Sequence, residues 1–424
     1  MYRKDKRTER VFEQKGIVRN ELPVGWRWVK LGNVADYLNG RGFKKSEWEQ
    51  SGLPIIRIQN LNKETSTYNY TKKIFDEKYR IRRGDLLFAW AASLGTYIWN
   101  GDDAWLNQHI FKIIPRPFCD KLFLFYSLEK IVAELYAKTH GSGMVHVTKS
   151  NFENTQIPLP PLEAQHAIVS KIEQLFSELD KGKQQLETVR QQLKVYRQAV
   201  LKWAFEGKLT NKNVKEGELP DGWQLVQVKD VADTYGGFAF RSVDFQSEGR
   251  YQVLRMGNVR PGVLRYDESP VFLNKVDESI LSRSLLRVND VIITQTGTRK
   301  KRDYGFTVLI PKDNLLLNQR IAAIRFKDNY IPKFFLYYSW TDSFKDQFFA
   351  NETGNVGQGN VGMKAVTETL IPFCPLHEQQ HIVQEIESRL SVCDKIEETI
   401  TISLAQAETL RQSILKKTFE GKLI

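Results

Sequence analysis

The chain has 424 residues, of which 41% are hydrophobic and 12% aromatic, so it can form two or three domains with apolar cores. Its formal net charge of +12 favours a polyanionic partner such as nucleic acid, although charge alone does not establish one. The three cysteines lack the spacing of a metal site, and their odd number argues against a disulfide framework. No stretch has the apolar core of a signal peptide or the length of a membrane span. We therefore expect a cytoplasmic protein with no membrane contact.

The first part of the chain is predicted to be a polar tail followed by a globular domain. Residues 1–20 are polar and charged, and we expect them to form a mobile tail. Residues 21–155 mix short β-branched runs with a helical segment, which is typical of a mixed α/β domain. The predicted strands are 55–58, 86–89 and 110–114, and the predicted helix is 121–138.

Residues 156–209 carry the pattern around which the whole chain is organised. Apolar residues recur there in alternating steps of four and three, which is the pattern of a coiled-coil seam. Pro161 suits the first turn of a helix and Gly207 its end, so the sequence predicts one helix of roughly 45 residues, about 66 Å long. The seam residues are Ile168, Ile172, Leu175, Leu179, Leu186, Val189, Leu193, Tyr196, Val200 and Trp203.

The second half of the chain repeats the first. Leu-Pro-x-Gly-Trp opens both globular domains, and Phe-Glu-Gly-Lys-Leu closes both helical segments. Strands are predicted at 253–256, 291–294 and 321–326, and a helical segment at 331–350. We therefore predict a short linker at 210–217, a second domain at 218–369 and a second helical region at 370–424. The predicted fold class is α+β, with two mixed α/β domains in tandem duplication and two long helices that pack on each other.

Residues 377–381 match the pattern of a zinc protease, with two histidines one helical turn apart and a glutamate as general base. The equivalent residues of the first copy are Glu163, Ala164, Gln165, His166 and Ala167, which cannot form a zinc site. We therefore interpret His377, Glu378 and His381 as the start of a helix, and we predict no metal and no catalytic residue. A zinc hydrolase stays the most distant alternative.

Residues 357–362 have the glycine spacing of a dinucleotide fingerprint. That fingerprint requires a strand before it and a helix after it, so that the pyrophosphate meets a helix N-terminus. A helical aromatic segment precedes it here, which favours a flexible loop leading to the second long helix.

Candidate nucleic-acid contacts are sorted by comparing the two copies, since shared residues suit scaffold or phosphate contact and differing residues suit the reading of bases. Arg57 and Asn60 are matched by Arg255 and Asn258, and a structural role is the favoured interpretation of these four. The differing candidates are Arg41, Lys44 and Lys45, Arg241, His109 and Arg320, and the segment Gln295, Thr296, Arg299, Lys300, Lys301 and Arg302. A charge run can equally be a solvated loop.

Together these features resemble the specificity subunit of a type I restriction-modification system. The resemblance rests on residues 156–165 and 371–380, each of which opens a long helix, and on the two repeated motifs that open the domains and close the helices. It covers nearly the whole chain from Glu21 onward.

The resemblance implies two target-recognition domains, each reading one half of a bipartite DNA sequence, and an antiparallel pair of helices that separates them. It implies two modification subunits, which methylate adenine with S-adenosylmethionine, and restriction subunits that use ATP and magnesium; this chain would hold no cofactor. A bivalent DNA-binding scaffold outside restriction-modification is the alternative. The helix and subunit interface is assigned to Leu175, Leu179, Leu186, Leu193, Tyr196, Ile386, Ile396, Ile400, Leu410 and Ile414.

Overall fold

The structure is a computed structural model of the full chain. It describes residues 22–62, 67–91, 93–138, 148–211, 213–215, 217–355 and 357–423. The predicted tail at 1–20 lies outside these residues. The chain folds as two compact units: residues up to Leu186 together with those from Thr401 form unit 1, and Glu187–Ile400 form unit 2.

Both predicted long helices are present as single α-helices of 44 residues. The first long helix is Leu162–Phe205 and the second is Leu376–Phe419. Proline and glycine bound them as the sequence predicts, because Pro161 precedes the first helix and Gly207 follows it. Each helix begins in one unit and ends in the other.

Side-chain contacts within each unit show that the long helices run antiparallel. In unit 1 the Arg411 guanidinium lies 3.9 Å from the ring centre of Phe176 and 3.5 Å from the Asp180 carboxylate. The beginning of the first helix thus meets the end of the second. In unit 2 Arg197 donates to Asp394 at 2.7 Å, so the end of the first helix meets the beginning of the second. The antiparallel pair is confirmed.

The predicted seam is only partly buried. Leu193, Ile386, Ile400 and Ile414 are buried, and Leu175, Leu179 and Leu186 are half-buried. Val189 and Tyr196 are each 39% exposed, Trp203 43%, Ile396 38% and Leu410 49%. The expectation of one continuous seam was therefore wrong at these positions. An α-helix of 3.6 residues per turn drifts away from a strict seven-residue pattern, and each helix end also packs on a globular domain rather than only on the other helix.

The globular domain of unit 1 contains two four-stranded sheets. The first has the order Ala35–Asn39, Ile110–Pro115, Leu86–Ala89, Gly95–Ile98, all antiparallel. The second has the order Asn69–Thr71, Leu53–Ile56, Ala104–Leu106, Arg80–Ile81, with one parallel pair. A separate pair, Arg27–Lys30 with Gln156–Leu159, joins the start of the domain to its end.

Helices cover this domain of unit 1. The helix Lys121–Lys138 coincides with the predicted segment. Its aromatic residues pack with the first long helix in one apolar core, which includes Phe123, Ile168 and Ile172. The remaining helices are short: Leu31–Val34, Ile58–Asn62 and Lys149–Asn154, with single 3₁₀ turns at Lys45–Glu47 and Glu77–Tyr79.

Unit 2 repeats this plan. Its four-stranded sheet has the order Ala232–Gly236, Ile321–Phe326, Val291–Thr294, Thr307–Leu309. A three-stranded sheet follows with the order Phe272–Leu273, Tyr251–Leu254, Leu315–Leu317, and Gln224–Gln227 pairs with Leu370–Phe373. The short strands are Val259–Arg260 with Val263–Leu264, and Thr296–Gly297 beside the hairpin of Thr353–Gly354 and Gly359–Asn360.

The helices of unit 2 correct one prediction. Residues 331–350 form two helices, Pro332–Tyr338 and Asp342–Ala350, rather than one. The break occurs because the Thr341 hydroxyl accepts from the Phe344 amide and caps a new helix. The other helices are Val228–Val231, Glu278–Ser284 and Met363–Thr367, with 3₁₀ turns at Ser242–Asp244 and Met256–Asn258.

A buried glutamine fixes the start of each long helix to its domain. Gln165 is 0% exposed; its side-chain oxygen accepts from the Asp120 amide at 2.7 Å, and its nitrogen donates to the Pro160 carbonyl at 2.9 Å. Gln379 is also 0% exposed, and it accepts from the Ile331 amide at 2.8 Å. The repeated helix-opening motif is therefore structural: it satisfies buried backbone groups where helix and domain meet.

The repeated pentapeptide at the helix ends packs against the repeated motif that opens each domain. Gly207 and Gly421 have φ of 73° and 70°, which favours glycine. A Cβ atom would lie 2.0 Å from Pro220 at Gly207 and 2.2 Å from Pro23 at Gly421. Each contact lies within one unit, so the same junction is built twice.

Candidate nucleic-acid interface

A turn of three residues is built in the same way in both units and lies among the candidate reading residues. In unit 1 this turn, the Asn-Gln turn, is Asn107-Gln108-His109. The Asn107 amide donates to Ile56, and the Gln108 amide donates to the Arg41 carbonyl at 2.9 Å. The Trp90 amide then donates to the His109 carbonyl at 3.0 Å. These bonds tie the turn to three separate segments of the domain.

The equivalent turn of unit 2, Asn318-Gln319-Arg320, makes matching hydrogen bonds. The Gln319 amide donates to the Phe238 carbonyl at 2.9 Å, and the Gln295 amide donates to the Arg320 carbonyl at 2.9 Å. In both units the asparagine side chain also accepts from the glutamine amide, at 2.8 and 2.9 Å. The scaffold is shared, and the third residue differs: His109 is half-buried and Arg320 is exposed.

Arg41, Lys44 and Lys45 lie on one surface segment of unit 1, but only the lysines extend from it. Arg41 donates two hydrogen bonds to Glu47, at 3.0 and 2.7 Å, and its guanidinium lies 4.2 Å from the ring centre of Phe75. The hydrogen bond from Arg41 lowers the pKa of Glu47 to about 2. Lys44 and Lys45 are exposed. Arg41 thus shapes the segment that displays the lysines.

In unit 2 the exposed Arg241 forms a similar local pair with Asp244, at 2.9 and 3.0 Å. The two residues are three apart on one turn, so the carboxylate offsets the cation next to it. This pair is an ordinary surface ion pair and adds little to stability.

The side chains of the shared asparagines bond to backbone groups inside each domain. Asn60 and Asn258 are 6% and 5% exposed, and their side-chain oxygens accept from the amides of Arg57 and Arg255 at 3.0 and 2.9 Å. The Asn258 amide group also donates to Arg265 at 2.9 Å. Because the asparagine side chains bond to backbone inside each domain, the structure supports the structural interpretation that the sequence favoured for them.

Gln295 and Thr296 are also turned into the domain. They are 8% and 2% exposed. Gln295 donates to the Val361 carbonyl at 3.1 Å, and the Thr296 hydroxyl donates to Asn360 at 2.7 Å. Neither side chain is directed outward for the reading of base edges. Together they fasten the glycine-rich segment 357–362, which contains a strand paired with Thr296–Gly297 rather than the simple loop we expected.

The basic segment 299–302 forms a tight turn whose arginines and lysines lie in different surroundings. The Asp303 carboxylate accepts from the Thr298 amide at 2.6 Å and closes the turn, and this bond lowers the pKa of Asp303. Arg299 donates to Glu352 at 3.2 Å, and the Glu352 side chain is only 9% exposed. The Arg302 guanidinium lies 4.8 Å from the ring centre of Phe349.

Lys300 and Lys301, by contrast, are exposed at the tip of this turn. The Tyr304 hydroxyl donates to the Glu352 carboxylate that also accepts from Arg299. Burial, together with this hydrogen bond to a carboxylate, raises the pKa of Tyr304. The phenol therefore stays neutral and helps to hold Glu352 in place. The arginines fix the turn, and the lysines are available to a polyanion.

A polar cleft of about 380 Å³ in unit 2 lies between this turn and the Asn-Gln turn. Arg260, Thr298, Arg320 and Gln358 are among the residues that line it. Two of them carry guanidinium groups, which can bind phosphate or the guanine edge. The glycine-rich segment therefore contributes a wall of the cleft through Gln358.

The residues of the zinc-protease pattern do not gather into a metal site. The Glu378 carboxylate accepts from the Thr210 hydroxyl at 3.2 Å, while His377 and His381 are exposed on the helix. Within the described ranges, no three His, Cys, Asp or Glu side chains lie close enough together to hold a metal ion. In the same ranges, no helix is long and apolar enough to cross a membrane.

Comparisons with known proteins support the resemblance inferred from the repeated motifs. A family model described as the type I restriction modification DNA specificity domain matches residues 23–188 and again 220–406. The EcoBI specificity subunit of Escherichia coli is 28% identical over 94% of this chain and 86% of its own length. The MjaVIII specificity subunit of Methanocaldococcus jannaschii is 25% identical over 95% and 94%.

Solved structures show the same fold. A chain from a study of complex assembly and conformational transition of the type I R-M system aligns with a TM-score of 0.71, 22% identity and coverage of 95% of this chain and 100% of that chain. The HsdS subunit of Thermoanaerobacter tengcongensis aligns with a TM-score of 0.60, also at 22% identity, over 95% and 98%. The protein therefore belongs to the family of type I restriction-modification DNA specificity subunits.

Proposed function

We propose that this chain selects the DNA sequence for a type I restriction-modification complex, with each unit reading one half of a bipartite target in double-stranded DNA. The observation that carries the proposal is the duplicated Asn-Gln turn. Its backbone hydrogen bonds match in the two units, while the residues around it differ. Two related but unequal readers on one chain suit a target with two different halves.

Catalysis is assigned to partner subunits in this proposal. The EcoBI and MjaVIII relatives are named specificity subunits of restriction enzymes, and the chain matches them over nearly its full length. Modification subunits would hold S-adenosylmethionine, and restriction subunits would use ATP and magnesium. This chain contributes the choice of sequence.

Apolar residues that the helix pair leaves exposed support the docking of modification subunits. In unit 2, Val195 is 70% exposed, Trp203 43% and Val392 56%. Beside them a groove of about 650 Å³ is lined by Val195, Leu219 and Leu225, among others. Apolar side chains on the outward face of a helix suit the addition of a further helix. The modification subunit is the occupant we assign to this surface.

The long helices would also set the gap between the half-sites. Each is continuous over 44 residues, about 66 Å at 1.5 Å per residue. Because proline is absent within both helices, neither has a residue that would kink it by removing a backbone hydrogen bond. A stiff element of fixed length can hold a fixed number of base pairs between two readers.

Expression of the full chain together with its modification subunit tests the function. Adenine methylation mapped across a genome should show one bipartite motif, with two specified parts and a constant gap, only in cells that carry this gene. The methyltransferase should also co-purify with the chain. Binding to DNA without a co-purifying methyltransferase and without any methylated motif would instead indicate a DNA-binding scaffold outside restriction-modification.

A further inference from the structure

One residue in each unit combines a left-handed backbone with a long polar side chain at the same position of the Asn-Gln turn. His109 has a φ of 75° and Arg320 a φ of 69°, and both stand third in the Asn-Gln turn. Side chains with a Cβ rarely adopt this left-handed conformation, whereas glycine adopts it without steric cost. Strain of this kind tends to occur at functional sites.

The other left-handed positions show how unusual this placement is. Among the described residues, positive φ at non-glycine positions occurs also at Ser269, Asn289, Arg302 and Asn314. Asparagine tolerates this conformation because its short side chain bonds locally. The long side chains at left-handed positions are thus His109, Arg302 and Arg320, and all three lie on the candidate interface.

The hydrogen bonds that close the turn go to the backbone carbonyls of these residues. The Trp90 amide donates to the His109 carbonyl, and the Gln295 amide donates to the Arg320 carbonyl. A glycine would supply the same carbonyl in the same conformation. These two hydrogen bonds therefore do not require the side chains.

The neighbours of the His109 and Arg320 side chains indicate the role of these side chains. Each residue bonds to the base of a loop that differs between the two copies, which begins at Trp90 in unit 1 and at Gln295 in unit 2. The ring centre of His109 lies 4.8 Å from that of Trp90, which steadies the imidazole. Arg320 is exposed and lines the polar cleft beside Arg260.

We propose that His109 and Arg320 are the matched specificity-determining residues of the two units, each reading a base edge in the major groove. Arg320 donates its two parallel N–H groups to O6 and N7 of a guanine. His109 donates one ring N–H to the N7 of a purine. This assignment rests on the proposed function and names the contact through which each unit acts.

Glycine variants separate reading from folding. The full chain carrying Arg320→Gly or His109→Gly, assembled with the modification subunit, is tested by methylation mapping and by competition binding with every single-base change of the target. Arg320→Gly should lower the preference at one base pair of one half-site by about 5- to 100-fold and leave the other half unchanged. His109→Gly should act only on the opposite half. Both variants should unfold within about 2 °C of the parent, since glycine suits the conformation.

Asn314→Gly is the matched control, because Asn314 is also left-handed, with φ of 63°, and its carbonyl accepts from the Gln252 amide at 2.9 Å. It should leave the sequence preference unchanged. Arg320→Lys keeps the charge but loses the planar fork, so its preference at that base pair should lie between those of the parent and Arg320→Gly.

Several results would overturn the assignment. An unchanged methylation motif in the glycine variants, or an equal loss of affinity for all sequences, would show that these side chains do not read bases. A large drop in unfolding temperature would show that they hold the fold. If the parent chain itself directs no bipartite methylation, the proposed function fails instead.

Discussion

Removing the lysines of the basic turn 299–302 and removing its Arg299 should have different effects, the first on DNA affinity and the second on stability. Lys300 and Lys301 are exposed at its tip, whereas Arg299 is bonded to the nearly buried carboxylate of Glu352. We compare the double variant Lys300→Ala, Lys301→Ala with the single variant Arg299→Ala. The lysine variant should lose DNA affinity without losing stability, and the arginine variant should lose stability.

The size of each effect follows from these surroundings. A phosphate contact contributes about 0.9 to the slope of log affinity against log salt, so loss of two lysines should lower the slope by about 1.8. Between 50 and 200 mM salt, the lysine variant should then lose about 12-fold less affinity than the parent. Arg299→Ala leaves the Glu352 carboxylate largely buried beside Tyr304, which should cost roughly 1–2 kcal/mol once the exposure of Arg299 is allowed for.

Fluorescence anisotropy with the target duplex at several salt concentrations measures the slope, and thermal unfolding measures stability. For a domain of 150–250 residues, 1–2 kcal/mol corresponds to a fall of about 2–8 °C. The lysine variant should unfold at the parental temperature. An unchanged salt slope in the lysine variant, or a lysine variant less stable than Arg299→Ala, would refute the division of roles within the turn.

Three further predictions concern the scaffold. Gln379→Ala should lower the free energy of unfolding by about 2–5 kcal/mol, because it leaves buried backbone groups without hydrogen bonds. The change Gln380→Ala at the exposed neighbour should lower it by under about 0.5 kcal/mol. Chemical denaturation compares the two variants, and equal losses would contradict the role of Gln379. The pKa of Glu47 is lowered from 4.5 to about 2, so its contribution to stability is complete above pH 4.5 and is lost as the pH falls toward 2. In Glu47→Gln the unfolding temperature should therefore depend less on pH across that window. An unaltered pH profile would count against the ion pair. Seven residues inserted after both Leu186 and Ile400 should lengthen each helix by about 10 Å. The gap in the methylated motif should then widen by about three base pairs. An unchanged gap in an active complex would exclude the spacer role.

The duplication and the long helices could be predicted from the sequence because their signals are local and repeated. Proline and glycine mark helix ends through fixed backbone preferences, and apolar spacing marks a helix whatever surrounds it. The strands Leu86–Ala89, Val291–Thr294 and Ile321–Phe326 were predicted with their bounds for the same reason, since a short apolar run with turns on both sides is a local signal.

The burial of the seam residues was predicted less well, because it depends on which element covers each face of a long helix. Spacing by four and three placed Tyr196 and Leu410 between the helices, yet Tyr196 is 39% exposed and Leu410 49%. A sequence does not show at which point a helix leaves its partner and meets a domain. The exposed side chains are informative in themselves, since they support a surface for modification subunits.

For the candidate interface, composition pointed to loops but could not show which of their side chains face outward. Gln295 and Thr296 have side chains suited to base edges, but hydrogen bonds to residues more than sixty positions away in sequence draw them inward. The left-handed conformation of His109 and Arg320 carries no signal in residue type, because glycine or asparagine is the ordinary choice there. The comparison of the two copies was the sequence signal that placed this position among the candidates.

An exchange of one recognition domain tests the central claim, that two independent readers share one chain, most directly. Residues 218–369 are replaced by the matching domain of a relative with a different target, which leaves both long helices in place, and methylated adenines are mapped in cells that also carry the modification subunit. We predict a motif in which one half changes to that of the relative while the other half and the gap stay the same. A motif altered in both halves would contradict the account.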